Sequence, residues 1–457
     1  MKKAKTVILL LLCAAVMGTA VWFAVRNNYQ EKHSGHGFKY MNGFSSTDFT
    51  GYHVYDGGKL ASLDHDASLI IEQEEDMPVL DGAEACYPLY CAAARAVYKN
   101  IAEIETEWKK EPENKITNGK IVTFTNTVYA YQRLVEGDAD IVFAARPSQE
   151  QKEYAHDRLV RICTVPVAKE AFVFFVEEDN PVDSLSAEQI RDIYSGKITN
   201  WKEVGGEDRK ILAYQRPENS GSQVMMKYFM KDVPLQEPET FERIGGMGDV
   251  IREVAQYANE NGAMGYTFRY FLLGLQQEQH VKILKIDGVE PTIETIENGT
   301  YPAVASVVMA YLEGNDNPNV QKMIEFMQSE DGQELIEKTG YAPLGEKQEA
   351  QIENDIADTD EYVNGNGTLT TAGDWSVLVW KGKTYRNYFS YYGQDMDSDF
   401  LRDRYSVLLE KNGVYAEMIL RMDANRLIVE GYLENDSILE KAPFDDLPET
   451  GTEFVLK

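Results

Sequence analysis

Between residues 77 and 340 short apolar runs alternate with amphipathic stretches, and beyond residue 367 the apolar period drops to two. Runs such as Pro78-Val79-Leu80, Ile121-Val122-Thr123-Phe124 and Asp140-Ile141-Val142-Phe143 are separated by helical stretches over 88–107 and 128–136. Strand–helix alternation of this kind makes a parallel, doubly wound sheet. A second unit starts near Val165: AFVFFVEEDNPV reads as a buried strand, Ser186 to Gln189 as a capping box and Gly196 as a helix stop. The segments 281–286 and 301–311 read as a return to the first unit, so the chain is expected to cross between two lobes near 164–170 and near 263–270. Two crossings make a hinge, and ligand clefts form at such interfaces. The expected fold class is therefore α/β, a two-lobed architecture with doubly wound sheets and a two-strand hinge.

Two appendages are expected on this core. Residues 345–367 are acidic, poor in large apolar side chains and end in Asn-Gly-Asn-Gly, the composition of a linker. After it WSVLVWKGK, TYRNYFSYYG, RYSVLLEKNG, YAEMILRMD and RLIVEGYLEN read as five strands of a small all-β domain, an antiparallel sheet or a barrel. At the other end Lys2, Lys3 and Lys5 precede an uncharged stretch over 6–25. A helix of that length spans roughly 30 Å, the thickness of a hydrocarbon core. The lysines place the N-terminus in the cytoplasm and the bulk of the chain outside, at the cell membrane. The apolar stretch runs on past Gly18-Thr19-Ala20, and Leu12 rather than a small residue precedes Cys13, so an uncleaved transmembrane anchor is favoured over a cleaved signal or a lipoprotein. The boundaries read as 1–26 anchor, 27–76 polar stalk, 77–164 with 270–344 lobe 1, 165–269 lobe 2, 345–367 linker and 368–457 β domain.

The formal net charge of −30 excludes a nucleic-acid groove, since nothing would neutralise its phosphodiesters. Any anion must be attracted locally, by backbone N–H groups and a few cations. Cys86, Cys91 and Cys163 offer no disulfide framework, and six histidines without a CxxC or His-rich cluster imply neither a metal nor a cofactor.

The stretch from Tyr214 to Gln223 runs from a strand through a polar turn into a helix. Its geometry suits an oxyanion: the helix start presents unpaired N–H groups, Ser220 and Ser222 add hydroxyls, Gly221 admits close approach, and Arg216 offers a bidentate fork. An ordinary serine N-cap with Arg216 exposed is the competing reading. A second strand-to-helix turn, 81–89, carries Pro88 at the first helical position and would aim the Cys86 and Tyr87 amides at whatever lies there. A third, Thr125-Asn126-Thr127, adds hydroxyl donors ahead of a helix beginning near Val128.

With these pieces in view, residues 78–344 resemble the phosphate-binding family of ABC transporter receptors, a branch of the type II periplasmic binding proteins. The resemblance lies in DGAEACYPLY, GDADIVFAARPS, the run from Asn180 to Gly206, QRPENSGSQ, NGAMGYTFRYF and SEDGQELIEKTGYAPL. It implies ligand contacts from Cys86, Tyr87, Thr127, Arg216, Ser220, Gly221 and Ser222. Two departures stand out: Cys86 replaces the usual hydroxyl, and Ala145-Arg146 stands where an acidic residue is expected. Arg146 is then either a specificity residue favouring a fully ionised anion or a bystander facing solvent. The resemblance implies a solute-binding protein, not an enzyme. It would capture a small oxyanion, most simply phosphate, and deliver it as a monomer to an ABC permease and its ATPase. The alternative is a tethered oxyanion sensor or scaffold whose C-terminal domain contacts a partner protein. No nucleophile elbow or paired metal ligand supports an enzyme.

Overall fold

A computed structural model describes residues 34–37, 43–44, 47–110, 119–238, 251, 254–255, 262–276 and 280–457, the last with short breaks at 395, 397, 399, 412–413, 435–436, 440–441 and 445–446. The expected anchor over 1–26 lies outside the described residues. Among those described, no helix is long and apolar enough to cross a membrane.

The core is one sheet of eight strands. These are β1 (Leu80–Gly82), β2 (Ile141–Ala144), β3 (Ile162–Glu177), β4 (Leu212–Ala213), β5 (Ala263–Phe268), β6 (Val281–Ile283), β7 (Val304–Leu312) and β8 (Gln351–Ile352). Their order is β1-β2-β7-β3-β5-β4, with β6 and β8 also pairing β3. The pairs β1–β2 and β4–β5 are parallel, whereas β7 is antiparallel to β2 and β3. Strand β3 is 16 residues long and almost wholly buried, the near-continuous apolar run expected of a strand covered on both faces. Its first half pairs β7 in lobe 1 and its second half pairs β5 and β6 in lobe 2, so one strand carries the chain through both lobes.

The second crossing is therefore β7, not the expected segment near 263–270. The segment over 281–286 does not return to lobe 1. Ile283 pairs with Phe175, and Leu284, Ile286, Ile296 and Tyr301 belong to the lobe 2 core. A short apolar run fits an edge of either sheet, and only its distant partner decides which.

Three other expectations change. Residues 121–124 form no regular strand. They are held by Leu80, whose N–H donates to Ile121 at 2.7 Å, and by Glu105, whose Oε1 accepts the Ile121 and Val122 N–H groups at 2.7 and 2.9 Å. The latter part of the expected stalk is integral to lobe 1: Phe49, Val54 and Ile71 are buried in its core. The acidic linker is docked as well, since β8 pairs Cys163 and Thr164, and Glu353 bonds Thr164 at 2.6 Å.

The C-terminal domain is a closed barrel, with more strands than the five expected, and it begins at Asp360 instead of 368. Its ring comprises β9 (Asp360–Asn364), β10 (Gly367–Ala372), β11 (Trp375–Trp380), β12 (Lys383–Tyr392), β13 (Arg404–Lys411), β14 (Val414–Asp423), β15 (Arg426–Glu434) and β17 (Glu453–Leu456). A short β16 (Ser437–Leu439) forms a hairpin on β15. Strands β9 to β15 follow one another as an antiparallel meander, β17 slots between β9 and β15, and the β14–β15 pairing completes the ring. Closure leaves the ring no unpaired edge, and alternate residues such as Leu369, Leu378, Leu409, Met418, Leu427 and Phe454 fill the interior.

Candidate functional site

Helix starts from both lobes meet beside β3. On the lobe 1 side these open α1 (Tyr87–Val97) and α3 (Asn126–Glu136), with α2 (Ile101–Lys110) between them in sequence. Asp81, in the middle of β1 and fully buried, organises this wall. Its Oδ1 accepts the Gly82 and Thr125 N–H groups, each at 2.8 Å, and its Oδ2 accepts the Thr125 hydroxyl at 2.8 Å and the Arg133 guanidinium. Arg133 also donates to Thr123 Oγ1 at 2.8 Å. The start of α3 is thereby fixed from below, and Thr127 is its second residue, because the helix begins two positions earlier than the sequence suggests.

The first loop departs from expectation. Residues 84–86 form a 3-10 turn in which the Cys86 N–H donates to the Ala83 carbonyl at 2.9 Å and the Tyr87 N–H to the Glu84 carbonyl. Both amides that the sequence assigns to a ligand are thus engaged in their own turn. The Tyr87 ring lies in the lobe 1 core with its hydroxyl 2.7 Å from His53 Nδ1. Burial, and then the nearby Glu170, push the Cys86 thiol up to about 12, so it stands as a neutral, weak donor.

On the lobe 2 side α6 (Gly221–Met230) follows α4 (Gln149–Asp157) of lobe 1 and α5 (Ala187–Tyr194) of lobe 2. Ser220 caps α6: its Oγ accepts the Gln223 N–H at 3.3 Å and donates to the Pro217 carbonyl at 2.8 Å. The cap satisfies the third amide of the helix and leaves the Gly221 and Ser222 amides for another acceptor. The Arg216 N–H donates to Tyr266 Oη at 3.0 Å and Gln223 Oε1 at 3.3 Å, which ties the loop to β5. Its Nε lies 3.4 Å from Ser222 Oγ, and both residues are buried.

Cys86, Thr127 and Gly221 line one enclosed cavity together with Ala145, Glu170 and Tyr341. Arg216, Ser220, Ser222 and Tyr87, four of the residues the sequence assigns to the site, do not line this cavity. The lobes are closed: a Cβ on Gly221 would stand 3.3 Å from Thr127 Oγ1 and 3.6 Å from Ala145 Cβ, and Asn219 bonds Glu150 of α4 across the mouth. The cavity measures about 20 Å³, room for about one water. A tetrahedral oxyanion would seat only with the lobes slightly parted. Arg146 is turned away, its Nη1 donating to Thr164 Oγ1 at 2.9 Å and to Glu353, which Lys152 also holds at 2.8 Å.

The residue missed in the sequence is Glu170. It lies in β3 where the strand passes between lobes, and it is buried. Its Oε1 accepts the Ala171 N–H at 2.7 Å and its Oε2 the Tyr270 N–H at 3.1 Å. Burial pushes its carboxyl up to about 7, against these two backbone N–H groups and Arg269, which favour the charged form. The available signal was a carboxylate inside the apolar run over 165–176.

A larger hollow, about 820 Å³, opens between lobe 1 and the barrel. Glu75, Asp76, Glu136, Asp140 and Asp316 face it with a single Arg386 opposite, the wrong sign for an oxyanion. The small cavity is the candidate site on chemical grounds.

Residues 94–331 match the PBP superfamily domain. The phosphate-binding protein PstS of Staphylococcus epidermidis is 26% identical over 268 residues, 56% of this chain and 79% of that protein. PstS of Bacillus subtilis is 30% identical over 171 residues, 37% of this chain and 53% of that protein. Among solved structures, a putative phosphate ABC transporter substrate-binding protein with bound phosphate from Clostridium perfringens is 26% identical, with 58% of this chain and 98% of that one covered at a TM-score of 0.42.

Proposed function

Because this chain belongs to the PBP superfamily, we propose that it captures a small oxyanion, phosphate foremost, between its two lobes and delivers it to an ABC permease and its ATPase. The observation that carries this reading is the convergence of Thr127 and Cys86 from one lobe with Gly221 from the other on a single cavity. The naming of its relatives as phosphate-binding supports the choice of anion.

In the mechanism that follows, the anion docks first on lobe 2. There the Gly221 and Ser222 amides at the positive end of α6 meet it, with the Ser222 hydroxyl and Arg216 close behind. Closure brings the Thr127 hydroxyl over the opposite face and removes water, which strengthens every charge-assisted hydrogen bond. The ligand shifts the lobes toward the closed state by its greater affinity for it, and no covalent bond changes. The chain's net charge of −30 makes this local cradle necessary, because the overall field repels an anion. Residues 1–26 would tether the protein with its lobes outside the cytoplasm.

The test is thermal unfolding of the purified chain in phosphate-free buffer with phosphate, sulfate, molybdate or no ligand. Phosphate at about a hundred times its Kd should add about 2.7 kcal/mol, a shift of a few degrees. Stabilisation by no oxyanion at all would remove this function.

A further inference from the structure

We propose that the hollow between lobe 1 and the barrel is a second binding site, one that takes a short basic segment of polypeptide. It lies apart from the oxyanion cleft and does not depend on what that cleft holds.

At about 820 Å³ the hollow falls in the range of about 300–1,000 Å³ typical of ligand pockets. Its lobe 1 side is acidic, with Glu75, Glu136 and Asp316 exposed on it. Glu136 already accepts Gln132 Nε2 at 2.9 Å and the Tyr154 hydroxyl. The Glu75 and Asp316 side chains hold no hydrogen bond with a described residue. The barrel side is aromatic: Tyr388 and Tyr415 are 52% and 58% exposed, and Trp375 meets the Tyr388 ring edge-on at 5.1 Å. Carboxylates facing aromatic rings select an organic cation, whose charged head meets the acids while its alkyl stem lies on the rings. Among the described residues no group of three or more His, Cys, Asp or Glu could hold a metal ion. The negative charge is therefore spread along the hollow, and it matches several separated cations better than one compact ion.

Charge and rings alone would admit a polyamine as readily as a peptide. Two donors in the wall narrow the choice. Trp375 is only 7% exposed, and its Nε1 has no acceptor among the described residues. Arg386 Nε is likewise buried without a partner, although Asp316 acts on its guanidinium. Both residues line the hollow. Buried donors left unpaired are costly, so the ligand that suits this wall brings acceptors as well as positive charge. A polyamine carries donors only, whereas a polypeptide has a carbonyl at every residue. The closed ring of the barrel offers no strand edge for such a segment to extend, so side chains and not a β-ladder meet its backbone.

Calorimetric titration of the whole chain with tetralysine, spermine and chitotetraose tests this. Spermine matches tetralysine in net charge but has no carbonyl, and chitotetraose has acceptors but no charge. Tetralysine should bind at least about 10-fold more tightly than either. The double variant Glu75→Gln/Asp316→Asn alters only exposed side chains and should weaken tetralysine at least about 10-fold. Trp375→Phe keeps a ring and removes the indole N–H, so it should weaken tetralysine about 5-fold and leave spermine unchanged. If that variant does not fold, the tetralysine-to-spermine ratio of the natural chain decides alone. Equal affinity for spermine and tetralysine overturns the peptide reading, and so does tighter binding of chitotetraose. No binding of tetralysine, or binding undiminished in the double variant, removes the site from this hollow. None of these outcomes bears on phosphate capture, which is measured separately.

Discussion

On the lobe 1 wall of the cleft the amides at the start of α1 close their own 3-10 turn, and the start of α3 is held by Asp81 and Arg133 buried beneath it. On the lobe 2 wall the cap is local: Ser220 satisfies Gln223, and the first two amides of α6 stay available. The two walls have similar sequence signatures, a polar turn leading into a helix, yet one has its leading amides already bonded and the other leaves two of them open. The difference lies in what the backbone N–H groups already bond to. Lobe 2 should supply most of the affinity, and lobe 1 the hydroxyl and the shape that complete closure.

That contrast predicts which substitutions act on folding and which on binding. The largest effect is expected at Asp81. Asp81→Ala leaves Arg133 buried without its partner and should lower stability by about 3–5 kcal/mol in urea unfolding. A loss below about 1 kcal/mol would mean that lobe 1 is not held from beneath.

Glu170 comes next. Its ionisation is raised in the folded protein from 4.5 to about 7, so the folded state holds a proton that the unfolded chain releases. The stability linked to it is complete below 4.5 and is lost as pH rises to about 7, roughly 3 kcal/mol in all. Glu170→Gln should flatten that part of the pH–stability curve; an unchanged slope would mean that another group carries it.

The smallest effect is expected at Arg146. Its side chain is 37% exposed, and Lys152 also holds Glu353. Arg146→Ala should cost less than about 1 kcal/mol and leave phosphate and sulfate affinities unchanged. A change in their ratio would return Arg146 to the site.

The sequence carried the strand–helix alternation, the hinge near Val165 and the β-rich end; of the residues expected to converge, Cys86, Thr127 and Gly221 share one cavity and Arg216, Ser220 and Ser222 do not line it. These features rest on local signals: apolar periodicity, capping residues and the Ser-Gly-Ser turn. What it did not reveal depends on distant partners. The segment over 281–286 is apolar enough for either lobe, and only its pairing with Phe175–Glu177 assigns it to lobe 2. Residues 360–367 look like linker because β9 alternates weakly, and β9 becomes a barrel strand through β17, more than ninety residues on. Tyr87 has the right position, but its amide is claimed by Glu84 and its ring by the core. Glu170 escaped notice because the long apolar run around it reads as plain strand, and only the fold shows that it faces a cleft.

The central claim is that an oxyanion is held where Gly221 of lobe 2 closes on Thr127 of lobe 1, and one titration tests it. Phosphate is titrated into the natural chain and into Gly221→Val, with the folding of each verified by its unfolding transition. The valine side chain would run into Thr127 Oγ1 and Ala145 Cβ, which lie 3.3 and 3.6 Å from its first carbon. The natural chain should bind phosphate, and the folded variant should bind it at least about 100-fold more weakly, a loss of about 2.7 kcal/mol. Equal affinity in the two proteins would place the anion somewhere other than this cleft.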